Sequence, residues 1–167
     1  YYHSFFNKDE SNVKVATTRA GNVVGGGDWA KDRIVPDCVR AWSKNEIVEI
    51  RSPNATRPWQ HVLEPLSGYL TLGLHLSGGK GLNGESFNFG PNSQYSHTVE
   101  EIVRDISKYW NIKNSEQMYL ITDNKKFHEA GLLKLNCDKA LFHLKWLPTL
   151  NYKQLIAFTG SWYYSFY

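Results

Sequence analysis

An amide and three arginines carry the chemistry most open to this sequence. Asn22 follows a short β-branched run, and Arg33, Arg51 and Arg57 fall in polar, turn-rich stretches between predicted elements. A carboxamide N–H and guanidinium forks are groups that hold phosphate oxygens. Ligands of open α/β sheets bind beyond the carboxyl ends of strands, which is where these residues are expected. One exposed arginine alone is ordinarily a surface ion pair. Their joint placement beside Gly21 and Gly25-Gly26-Gly27 points instead to an anionic, phosphorylated small molecule.

Other patterns are weaker. Gly25-Gly26-Gly27-Asp28-Trp29-Ala30 fits G-x-G-x-x-A, and Glu49 lies about 20 residues on, as in a dinucleotide fingerprint. A phosphate cradle needs its glycines to run straight into a helix N-terminus. Asp28, Asp32 and Pro36 put anionic and breaking residues there, so the segment is read as a flexible loop near a ligand. Tyr109 and Lys113 have Tyr-x-x-x-Lys spacing, which serves acid–base chemistry when both share a helix face. Here Tyr109 lies on an apolar stripe and Asn111 reads as a helix stop, so Tyr109 is assigned to the core. The six histidines form no metal-binding pattern, and Cys38 and Cys137 are read as two reduced thiols, so no metal is expected. The basic-aromatic stretches at 108–113 and 123–128 are interspersed with acids, and no nucleic-acid partner is expected.

The elements that must position these groups alternate. The sequence predicts a helix tail at 1–7, a strand over 13–18, a helix carrying Val35, Cys38, Val39 and Trp42, and a strand over 47–50. Next come a helix striped by Leu63, Leu66, Leu70 and Leu74, and a strand at 87–89. Thr98 and Glu101 form a capping box before a helix whose inward face is Val99, Ile102, Val103, Ile106 and Tyr109. A strand at 118–121, a helix at 137–144 and a last helix begun by Leu155, Phe158 and Trp162 complete the chain. The alternation argues an α/β fold with parallel strands.

Composition agrees with that class. The 167 residues carry a net charge of +3 and are 41% hydrophobic, enough for one core without disulfide or metal. No apolar run approaches the roughly 20 residues of a membrane span, and no secretory leader is visible, so a membrane partner is not expected. Asn54-Ala55-Thr56 matches a glycosylation acceptor, which carries no weight without such a leader. With Tyr1 at its start and Met118 as its single methionine, the sequence reads as a piece of a longer chain.

Thr18-Arg19-Ala20-Gly21-Asn22-Val23-Val24-Gly25-Gly26-Gly27-Asp28-Trp29 and Arg57-Pro58-Trp59-Gln60-His61-Val62 together resemble the extended short-chain dehydrogenase/reductase family. The Gly-Gly-Gly-Asp-Trp loop and the run from Ala55 to Pro65 look like its CDP-sugar branch. The likeness continues more weakly through Phe87-Asn88-Phe89-Gly90 and Trp146-Leu147-Pro148. The wider family has an acid where this chain has Pro58.

The resemblance implies that residues 1–167 are the C-terminal half of an enzyme about twice as long. They would be the late strands of a Rossmann-like parallel sheet interleaved with a smaller mixed α/β substrate-binding domain. The family's NAD-binding fingerprint and catalytic Tyr-x-x-x-Lys helix would lie upstream, so no catalytic residue is expected here and the chain alone should be inactive. The implied reaction is an internal redox cycle on CDP-glucose or a related nucleotide-sugar. A hydride passes from sugar C4 to NAD, water leaves across C5 and C6, and the hydride returns to C6. By position, Asn22 would bind the diphosphate, while Gly21 and Val23 would line the nicotinamide site. Arg33 and Ile34 would meet the nucleotide, Ile50 would pack on the base, and Arg57 and Asn92 would hold phosphates and ribose. A cytoplasmic homo-oligomer in deoxysugar synthesis for lipopolysaccharide O-antigen is the corresponding setting. The alternatives are another epimerase or dehydratase of the family, a noncatalytic nucleotide-sugar-binding module and, more remotely, a nucleic-acid-binding domain.

Overall fold

The computed structural model describes residues 2–7, 11–79, 81–92, 94, 96–112, 114, 118–122 and 131–167. A π-helical turn, Tyr2–Phe6, precedes β1 (Thr17–Ala20) and β2 (Asn22–Val24). Then follow α1 (Ile34–Trp42), β3 (Val48–Ile50), β4 (Thr56–Arg57), β5 (Trp59–His61) and α2 (Leu63–Ser77). The chain continues through β6 (Ser86–Phe89), β7 (His97–Thr98), α3 (Val99–Ser107), a 3-10 turn (Lys108–Trp110) and β8 (Tyr119–Ile121), and ends in α4 (Asp138–Leu144) and α5 (Tyr152–Phe166). Among the described residues the strands pair two by two. β1–β6, β2–β5 and β3–β8 are parallel and β4–β7 is antiparallel. This is the expected mixed α/β arrangement with parallel strands.

Two apolar cores hold it. The first joins α1, α3 and α5 to β3 and β5 through Val39, Trp42, Ile50, Trp59, Ile102, Ile106, Leu155 and Tyr163. Cys38 and Val39 are buried on α1, as the helical spacing required, and Trp42 Nε1 donates to the Met118 carbonyl at 2.9 Å. The second packs α2 and α4 on β6 through Leu72, Phe87, Phe89, Leu144 and Trp146. Phe87 and Phe89 are 2% and 0% exposed, each burial being worth about 1.5–3 kcal/mol. The capping box forms in full, with Glu101 N donating to Thr98 Oγ1 and Thr98 N to Glu101 Oε2. Among the described residues no helix is long and apolar enough to cross a membrane.

Three expectations are corrected. The first strand is Thr17–Ala20 rather than 13–18, because its partner β6 begins only at Ser86, opposite Thr17. Val13 is half exposed, and Val15 N donates to the Asn83 side chain at 2.8 Å instead of to a strand. The leucine stripe of α2 faces outward: Leu63, Leu66, Leu70 and Leu74 are exposed while Glu64, Pro65, Gly68 and Leu72 are buried. Gly68 decides this, since a Cβ there would stand 2.3 Å from Phe89 Cδ1, and only the glycine face lets helix and strand approach so closely. On α5 the buried face is Leu155, Ile156, Thr159, Gly160 and Tyr163, leaving Phe158 and Trp162 half exposed.

Candidate functional site

The site is built where β2, β4 and the start of α1 converge. Asn22 opens β2 opposite Trp59, and its backbone N–H donates to Pro58 O at 2.9 Å. Arg33 holds the extended position just before α1, so its side chain and Ile34 stand at the helix entrance. Ile50 ends β3, and Arg51 follows it. These strand and helix ends enclose a cavity of about 260 Å³ lined by Asn22, Val23, Arg33, Ile34, Ile50 and Arg57. Six of the eight expected site residues thus share one cavity. Arg51 and Asp28 also line it.

Arg57 is the hinge of the arrangement. It is 9% exposed, its Nη1 donates to the Thr56 carbonyl at 2.9 Å, and across the β4–β7 pair it faces His97. With Trp59 it also lines a second cavity of about 730 Å³, whose wall includes Asn92, His97 and Tyr152. Asn92 therefore stands in the neighbouring cavity, with Arg57 common to both. Its side-chain oxygen accepts from Gln94 N at 3.0 Å. His97 stacks on Tyr152 at 3.6 Å between ring centroids, and its backbone carbonyl accepts from Trp59 Nε1. Burial, with the nearby Asp105 carboxylate, pushes the Tyr152 phenol well up, so that ring serves as a neutral platform.

Gly21 lines neither cavity. Its N–H donates to Phe89 O at 3.1 Å, and a Cβ would stand 2.4 Å from Pro58 O. The glycine is needed for that close backbone approach.

The glycine loop is not a dinucleotide cradle, because α1 begins only at Ile34. Nor is it an open loop at Gly26, where a Cβ would lie 2.1 Å from Trp162 Cδ2. The loop is held further by Tyr163, whose hydroxyl donates to Asp28 O at 2.7 Å and whose pKa burial pushes up to about 12. Tyr109 packs half-buried against Gly160, as a core tyrosine should. Asn111 ends its turn in the left-handed conformation, with φ of 54°. Lys113 and the stretch 123–130 lie outside the described residues.

Sequence reasoning missed the polar floor of the larger cavity. Gln60 is 2% exposed, and its Nε2 donates to Phe89 O at 2.9 Å while its Oε1 has no partner among the described residues. Glu64 is 4% exposed and accepts from the backbone N–H groups of Thr149 and Leu150, tying the segment before α5 to α2. Burial lowers the His61 pKa against the opposing pull of Glu64. Burial pushes the Cys38 thiol up, with Asp37 adding to the effect, so that thiol is inert.

No protein-family model matches the sequence. The chain is 40% identical to the CDP-glucose 4,6-dehydratase of Salmonella typhimurium over 166 residues, which is 98% of this chain and 45% of that protein. It thus spans about half the length of the curated relative it matches. Among solved structures, a dTDP-glucose 4,6-dehydratase from Bacillus anthracis in complex with NAD is similar with a TM-score of 0.73 and 22% identity, covering 90% of this chain and 45% of that one. A UDP-glucuronic acid 4-epimerase from Bacillus cereus, in complex with UDP-glucuronic acid and NAD, gives a TM-score of 0.77 at 14% identity, covering 95% and 48%. The chain therefore has the fold of the C-terminal part of the extended short-chain dehydrogenases/reductases that act as nucleotide-sugar dehydratases and epimerases, and its sequence is similar to the C-terminal half of CDP-glucose 4,6-dehydratase.

Proposed function

We propose that this chain is the nucleotide-sugar-binding half of an NAD-dependent CDP-glucose 4,6-dehydratase. The observation that carries the reading is Arg57, nine-tenths buried where two cavities meet and placed with Asn22 and Arg33 around the smaller one. A buried guanidinium offered to a cavity suits a diphosphate. Asn22 supplies an amide donor beside it, and Arg33 a second cation at the helix entrance. Ile34 and Ile50 would give an apolar wall for the base, and Asn92, in the neighbouring cavity that shares Arg57, would meet the ribose.

The residues present also fit a dinucleotide cofactor at one edge. Val23 is 37% exposed and among the residues lining the smaller cavity, and would offer an apolar contact to a flat nicotinamide ring. Gly21 lines neither cavity: its N–H is donated to Phe89 O and its missing Cβ makes room for Pro58 O. NAD, when bound, supplies the oxidant that removes hydride from sugar C4 and returns it at C6. This chain's part is to hold the diphosphate so that the sugar faces that ring. A cytoplasmic enzyme that supplies a deoxysugar nucleotide for surface polysaccharide agrees with two free cysteines.

Titration calorimetry of the chain with CDP and CDP-glucose tests the reading. Wild type should bind both, and Arg57→Ala should weaken binding by about 10- to 100-fold, the worth of a charged hydrogen bond. No binding by wild type, or unchanged affinity in the variant, refutes it.

A further inference from the structure

In the antiparallel pair of β4 and β7, Arg57 and His97 stand directly opposite, and such residues project from the same face of a sheet. Both line the larger cavity. The imidazole is fixed on two sides. Its centroid lies 3.6 Å from that of Tyr152 with the planes 13° apart, and the Tyr152 hydroxyl donates to Asp105 Oδ2 at 3.1 Å, which holds the platform in place. Nδ1 of His97 lies 3.5 Å from Glu101 Oε2, the oxygen that accepts from Thr98 N in the capping box of α3. An ionised carboxylate only accepts, so Nδ1 is the nitrogen that carries the hydrogen, and the neutral imidazole then offers an acceptor at Nε2. Among the described residues Nε2 has no hydrogen-bond partner, and it is not sealed from solvent. Asn92, in the same lining, has its Oδ1 taken by Gln94 N at 3.0 Å, which leaves its amide N–H₂ as a donor.

We infer that His97 reads the ribose of the nucleotide, its Nε2 accepting a hydrogen bond from a ribose hydroxyl. This rests on the nucleotide-sugar reading and adds to it the residue that tells a ribonucleotide from its deoxy counterpart. A hydroxyl both donates and accepts, so one ribose can give a hydrogen to Nε2 and take one from Asn92. Ionised phosphate oxygens and carbonyls only accept and find no donor at Nε2, so the diphosphate falls to Arg57, which the two cavities share. The 2′-hydroxyl, donor and acceptor at once, is the group by which proteins separate ribose from deoxyribose. A hydroxyl of the hexose has the same chemistry, and the experiment separates the two sources.

Titration calorimetry on the chain compares CDP with its 2′-deoxy and 3′-deoxy analogues and with CDP-glucose, for wild type, His97→Phe and His97→Gln. Wild type should bind CDP about 5- to 10-fold more tightly than at least one deoxy analogue, the worth of one neutral hydrogen bond. His97→Phe keeps a ring on Tyr152 but has no nitrogen. Its ratio should fall to within about 2-fold of one while its affinity for that analogue matches wild type, which shows that the variant is folded. His97→Gln gives up the stacking but keeps an amide oxygen as acceptor, and should retain a preference of about 3-fold or more, which a merely structural role for the ring does not predict. A wild type without preference overturns the assignment even if Arg57→Ala behaves as expected, and so does a phenylalanine variant that keeps the wild-type ratio. If His97→Phe weakens CDP-glucose and leaves CDP untouched, the hydroxyl belongs to the hexose and the ribose assignment falls. Absence of binding by CDP and CDP-glucose alike overturns the nucleotide-sugar reading and this one with it.

Discussion

Glu64→Ala tests how the larger cavity is held. Glu64 Oε1 accepts from Thr149 N at 3.0 Å and from Leu150 N at 2.5 Å, and Oε2 accepts from Thr149 N at 3.1 Å. These bonds fasten the segment that follows Trp146, whose indole N–H donates to Ser67 Oγ one turn along α2. Truncation to alanine strands two backbone N–H groups, at about 1–3 kcal/mol each. Glu64 lines the cavity, so water can reach part of the vacated space, and the loss should settle at about 2–4 kcal/mol. For a chain of this length that lowers the melting temperature by roughly 5–15 °C. Glu64→Gln keeps one oxygen where both N–H groups converge but sets an amide N–H₂ against Thr149 N–H, so it should fall between wild type and alanine. Urea denaturation followed by tryptophan fluorescence reads both variants, with unchanged slope and a lowered midpoint. An alanine variant within about 0.5 kcal/mol of wild type would refute the reasoning, since that is the range of an inconsequential surface change.

Two further predictions join the one made for Arg57. His61 has a lowered pKa in the folded state, so below its ordinary value of about 6.5 the unfolded chain binds more protons. Stability should therefore be full above that pH and fall as the solution is acidified through it. His61→Phe should flatten the fall, and midpoints measured between about pH 8 and pH 5 that move equally in both proteins would contradict this. Gly68→Ala must displace the Phe89 ring, which is fully buried and meets Trp146 edge-on at 4.9 Å. The cost should be about 1–3 kcal/mol of overpacking, read as a lowered thermal midpoint, and a stabilised variant would show that the α2–β6 contact is looser than described.

Where the sequence could be read, local rules governed. Thr98 and Glu101 announced the α3 start because a capping box is a contact between residues three apart. Val35, Cys38, Val39 and Trp42 announced α1 because its buried face follows the helical period. Asn22, Arg33, Ile50 and Arg57 entered through resemblance as much as chemistry, and the folded chain brings them to one cavity. What stayed hidden depends on tertiary approach. Nothing local in the leucines of α2 shows that Gly68 must face Phe89 and turn them outward. His97 came to light only through the antiparallel pairing that sets it opposite Arg57. Glu49 drew notice as part of a supposed dinucleotide fingerprint, a pattern the start of α1 rules out, and on β3 it is the exposed residue between buried Val48 and Ile50.

The parallel strand pairs also set an order of events for the chain. β1 must wait for β6, whose Phe89 lies opposite Ala20, and β3 for β8, which brings Ile121 beside Ile50. No parallel pair can close through a tight turn, so each ladder begins with the loss of freedom of a long intervening loop. Contacts of such high sequence separation slow folding, while α3, with its cap and local bonds, can form early. During synthesis Val48, Glu49 and Ile50 emerge long before Tyr119, Leu120 and Ile121. The wall of the smaller cavity is therefore among the last parts of the molecule to be finished, and the cavity is complete only when folding is.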